Sequence, residues 1–118
     1  MKIQASERFL TLYSFTVDHV RTERGVAVLR ARGTGTTAKN VEARIRELVA
    51  MFREQGDTPD GIILGKLAWV AFCDAFHIDV YLAGFNVQFD GIDVMFGPNA
   101  EYDAITIDGK SPPLDPRQ

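Results

Sequence analysis

The sequence predicts an α+β domain: an antiparallel sheet with two helices packed on one face, in the order β-β-α-(β)-α-β-β-β-β. Three observations carry that expectation. Stretches rich in β-branched and aromatic residues stand at both ends of residues 8–107. Two segments between them repeat their apolar residues at helical spacing. Asp90-Gly91 is flanked by alternating residues, a strong short-range hairpin signal. Strands and helices that come in runs, rather than in strict alternation, favour α+β over a doubly wound fold.

Residues 8–17 read as the first strand, with Phe9, Thr11, Tyr13, Phe15 and Val17 on one face. A polar connection, residues 18–25, leads to a second strand over residues 26–32. Gly33 to Thr37 break the pattern, and either Thr36 or Thr37 is placed to cap a helix. Val41, Ile45, Leu48, Val49 and Phe52 then mark one helix face, which Gly56 ends. Thr58 to Gly61 read as loop, and Ile62 to Gly65 as a brief buried strand.

Lys66 to His77 read as a second helix, apolar nearly all round and therefore deeply buried, with Lys66, Asp74 and His77 as its polar stripe. Ile78 to Leu82 read as a strand. In the hairpin, Phe89 opposes Ile92, Val87 opposes Val94 and Phe85 opposes Phe96. Ala104 to Ile107 form the last strand. A single domain thus spans residues 1–110, and residues 111–118 form an extended proline-rich tail suited to a partner-binding arm.

The composition excludes several classes. One cysteine, Cys73, allows no internal disulfide, and its apolar neighbours make it a small core residue. No run reaches the roughly 20 apolar residues of a membrane span, so no membrane partner is expected. The opening residues do not read as a secretory signal. No metal or cofactor motif is present, and no cofactor is expected. Asp74, Asp79, Asp90, Asp93, Asp103 and Asp108 could serve acid–base work only if the fold gathered them. Asp90 and Asp108 precede turn glycines, and no periodicity joins Asp74, His77 and Asp79 across a helix end. An enzyme is not expected.

Charge is split along the chain. Residues 1–56 hold ten Lys/Arg and six Asp/Glu, whereas residues 57–118 hold three and ten. Opposed halves on neighbouring copies suit charge-complementary self-association, and the acidic half suits docking on another protein. One corner suits an anion instead: Arg30, Arg32, Gly33, Gly35, Thr36, Thr37 and Lys39 combine two same-side arginines, flexible backbone and a helix start. With Lys2, Arg21, Arg24, Arg44, Arg46 and Arg53 these could form a basic surface for nucleic acid or a phosphate ligand. Over residues 28–50 the Arg-Gly turn before a helix resembles Alba-type nucleic-acid-binding proteins.

Residues 59–109 are similar to a segment of small phage and prophage structural proteins. The likeness rests on Pro59 to Gly65, Ala68-Trp69, Phe89 to Val94 and Ile105 to Gly109. It implies a phage-related virion accessory, connector or inhibitor of a host protein, located in the host cytoplasm or the virion. The leading expectation is therefore a non-enzymatic assembly or interaction protein, with nucleic-acid or phosphate binding at the Arg30/Arg32/Lys39 corner as the alternative.

Overall fold

The alternation of the first strand runs further than its composition suggests. The computed structural model describes residues 16–33, 35–82, 86–97 and 103–112. The expected strand residues 8–15 and tail residues 113–118 lie outside these. β1 (Thr16–Arg21) pairs with β2 (Val26–Arg32) as an antiparallel hairpin. β1 thus includes Asp18 to Arg21, where the polar composition predicts a connection. Period two accounts for this: His19 follows Val17 onto the same face, and both are buried. Thr22 N donates to Val26 O at 2.8 Å, and Gly25 turns the chain at φ 83°.

α1 (Val41–Glu54) buries Val41, Ile45, Leu48, Val49 and Phe52, the face its spacing marks. Its start differs from expectation. Asn40, not a threonine, is the N-cap residue, and its side chain reaches back rather than forward. Asn40 Oδ1 accepts from Thr37 N and Asn40 Nδ2 donates to Gly35 O, both at 2.8 Å. An amide side chain that bonds nearby backbone in this way builds a turn ahead of the helix.

β3 (Thr58–Leu64) absorbs the Thr-Pro-Asp-Gly stretch read as loop. Pro59 is tolerated because the register with the neighbouring strand shifts between Pro59 and Gly61. α2 (Lys66–Phe76) follows and ends at His77 in the left-handed conformation, φ 56°. The strand expected at Ile78 to Leu82 is instead a short 3-10 turn, Val80–Leu82. Local partners take its backbone groups: Trp69 Nε1 donates to Val80 O, and Tyr81 N donates to Asp79 Oδ1, both at 2.9 Å.

β4 (Gln88–Phe89) and β5 (Ile92–Phe96) flank Asp90-Gly91, both residues having positive φ as a tight primed turn requires. Phe89 opposes Ile92 as expected, and Val94 N donates to Val87 O at 2.8 Å. Phe85 lies outside the described residues. β6 (Ile105–Lys110) completes a six-stranded sheet in the order β1-β2-β6-β3-β5-β4. The fold is α+β with the expected succession of helices and strands, save that the Val80–Leu82 turn stands where a strand was expected. The sheet is mixed, because β3 and β5 pair in parallel across the α2 crossover while the other neighbours are antiparallel.

Register places the core. Val17, Ala31, Ile105 and Leu64 form one cross-strand row, and Leu29, Ile107, Ile62 and Val94 the next. All are buried against the helices. Arg30, Thr106, Ile63 and Met95 form a row on the opposite sheet face. Phe72 extends the core toward the last hairpin, with its ring 4.8 Å from Phe76 and 6.4 Å from Phe89. Among the described residues no helix is long and apolar enough to cross a membrane.

Candidate functional site

The all-round apolar character of α2 does not mean burial all round. Ala68, Trp69, Ala71, Phe72 and Cys73 are buried, but Leu67 and Val70 on the outer side are 48% and 46% exposed. Spacings of three and four residues place Val70, Asp74 and His77 along the same outer stripe. Val80 and Tyr81 continue the exposed apolar surface past the helix end, Tyr81 at 87%. The indole of Trp69 pins this turn to α2 from beneath.

Beside the stripe lies a pocket of about 700 Å³, within the roughly 300–1,000 Å³ range of ligand sites. The loop of Gly35 to Ala38 and the side of α2 line it, together with Asp103 and Val80. Leu67, Val70, Ala71 and Ile78 make the lining largely apolar, and Asp74 and Asp103 bring carboxylates to it. Asp103 Oδ1 is buried with no hydrogen-bond partner among the described residues. His77 holds a left-handed conformation that glycine adopts at less cost, and its side chain lines this pocket.

Cys73, Asp74 and His77 therefore meet at one pocket, Asp74 and His77 from the polar stripe that helical spacing marks. The i,i+3 spacing of Asp74 and His77 was the available signal. Their chemistry does not resemble an activated nucleophile. Burial pushes the Cys73 thiol up, and the Asp79 carboxylate pushes it further in the same direction. A reactive thiol needs the opposite environment. No hydrogen bond joins Asp74 to His77 among the described residues, and both side chains are exposed.

The anion corner is divided by the sheet. Gly35, Thr36 and Thr37 line the pocket on the helix side. Arg30 and Arg32 belong to the opposite sheet face, where Arg32 Nη2 donates to Asp18 Oδ2 at 2.8 Å. Gly33 is half-buried between them, and Lys39 is exposed in the turn before α1. Thr36 Oγ1 accepts from Nη1 of Arg44 at 2.5 Å, and Arg44 is only 3% exposed.

Much of the basic half is bonded within the molecule. Arg46 donates to Glu42 through Nε and Nη2 and to Asp90 through Nη1, at 2.9–3.0 Å, while its guanidinium stands 4.9 Å over the Phe89 ring. Arg46–Asp90 joins the basic and acidic halves inside one molecule. So does a buried cluster for which composition gave no sign. His19 Nε2 lies 2.8 Å from Asp57 Oδ2, and Arg21 Nη2 lies 3.1 Å from Asp57 Oδ1. The Arg21 contact has ion-pair distance without an aligned hydrogen bond, since Asp57 Oδ1 lacks a hydrogen-bond donor. Arg21 Nη2 also donates to Gln55 O. The cluster ties β1 to the connection between α1 and β3, with His19 edge-on to Phe52 at 6.1 Å.

No protein-family model, curated protein or solved structure matches this chain.

Proposed function

We propose that this is a non-enzymatic interaction protein that docks a segment of another protein along the outer side of α2. One observation carries the reading: Leu67, Val70, Val80 and Tyr81 are exposed together beside a concave, mostly apolar pocket. Grouped apolar exposure of this kind marks contact surfaces rather than ordinary solvent-facing residues. Apolar exposure continues beyond the pocket mouth to Tyr81, which suits a polypeptide better than a ligand enclosed on all sides. The raised Cys73 thiol supports binding over catalysis. The resemblance of residues 59–109 to phage structural proteins supports a virion accessory role, or inhibition of a host protein, as the setting. Self-association through opposed charged halves draws less support, because Arg46–Asp90 and Arg21–Asp57 already join those halves internally.

The test is a photoreactive p-benzoylphenylalanine placed at Val70 or, separately, at Arg30 on the opposite sheet face. The expected result is one defined adduct from Val70, identified by mass spectrometry. Excess unlabelled protein should suppress it, and excess Tyr81→Asp protein should not. An adduct from Arg30 alone would overturn the docking face. An adduct of twice the chain mass would replace the foreign partner with a second copy.

A further inference from the structure

Resting on the docking surface just described, we propose that the pocket selects a basic-apolar polypeptide segment, one carrying Lys or Arg beside aliphatic or aromatic residues. Shape and charge point the same way. The walls contributed by Leu67, Val70, Ala71 and Ile78 accept an apolar side chain. Asp74 and Asp103 also line the pocket, and no lysine or arginine does so among the described residues.

The nearest cations stand outside the lining. Arg44 sits behind the loop with Nη1 on Thr36 Oγ1, outside the lining. Lys39 and Lys66 are exposed in the flanking turn and at the start of α2, also outside the lining. The buried Oδ1 of Asp103 has no hydrogen-bond partner among the described residues, so a carboxylate that turns toward the pocket forfeits no bond at that oxygen on accepting a charge-assisted hydrogen bond from a lysine ammonium or an arginine guanidinium. An acidic segment would bring like charge to Asp74 and Asp103 and is disfavoured for the same reason.

Nuclear magnetic resonance titration of the full chain tests this with three acetylated, amidated peptides. The first is Leu-Lys-Leu-Leu-Lys-Leu, and the others carry Gln or Glu in place of both lysines. The amides of Val70 and His77 report on the pocket. So does the indole N–H of Trp69, the single tryptophan, which is bonded to the pocket-lining Val80. The Lys peptide is expected to bind roughly twofold to thirtyfold more tightly than the Gln peptide, the range of two partly exposed ion pairs. The Glu peptide should bind most weakly. Asp74→Asn with Asp103→Asn should erase the ranking, and high salt should compress it in the parent.

Equal binding of all three peptides would overturn cation selection and leave the docking surface standing. No shift at these reporters with any peptide would remove both. Shifts confined to Thr106 and Met95, on the opposite sheet face, would relocate the contact and overturn the proposal.

Discussion

Replacing Asp57 by alanine isolates the buried cluster that ties β1 to the rest of the fold. The Asp57 side chain is fully buried and meets His19 and Arg21. Its removal leaves the buried His19 ring nitrogen without its partner, at a cost of about 1–3 kcal/mol. The Arg21 contact involves a side chain that is 42% exposed, so its loss adds at most about 1 kcal/mol. The expected destabilisation is therefore about 1–4 kcal/mol, a large share of the roughly 5–15 kcal/mol typical of a domain. Urea unfolding followed by circular dichroism should show the midpoint falling by about 1–3 M at unchanged slope. Asp57→Asn retains an oxygen for His19 and should lose only about 1 kcal/mol. A loss under about 0.5 kcal/mol in Asp57→Ala would refute the assignment, because that is the range of surface substitutions away from specific contacts.

Two further outcomes follow from strain and burial. His77→Gly relieves the left-handed backbone and should stabilise by about 1 kcal/mol in thermal unfolding, whereas His77→Ala keeps the strain and should show no such gain. Asp108 is pushed up from the ordinary carboxylate range by burial and, secondarily, by the charge of Asp60. A raised carboxylate binds its proton more tightly in the folded state, so it lowers stability as pH rises through that range. Asp108→Asn should therefore be more stable than the parent at neutral pH. The advantage should shrink as pH falls and Asp108 protonates, as parallel melting curves would show.

What was legible in the sequence was whatever repeats locally. The buried face of α1 follows from five apolar positions, and the last hairpin from Asp90-Gly91 and its flanks. The parallel β3–β5 pairing was not legible, because it depends on which distant strand lies alongside rather than on either segment. The turn at Val80 was missed for a similar reason. Its composition suits a strand, but an indole eleven residues earlier takes the carbonyl that a ladder would need. The outer stripe of α2 was half visible: Lys66, Asp74 and His77 mark it, but the nearly all-round apolar composition conceals that Leu67 and Val70 stay exposed. An exposed apolar residue and a core residue look the same until neighbouring elements are in place. The anion corner shows the converse, since residues adjacent in sequence were separated by the sheet itself.

The strand order also has a consequence for how the molecule forms. β6 lies between β2 and β3, so the central position of the sheet is filled by a segment that follows all its neighbours in the chain. Until residues 105–110 have been made, β2 has only β1 beside it. Both β2 and β3 then present unpaired backbone along one edge, the kind of template that recruits foreign strands. Insertion of β6 spans about eighty residues of intervening chain between Ala27 and Gly109, and such long-range closure is slow. Gly109 makes that insertion sterically selective as well. A Cβ at this position would stand 2.0 Å from Thr58 O, so the last strand to arrive fits its slot only because one of its residues has no side chain.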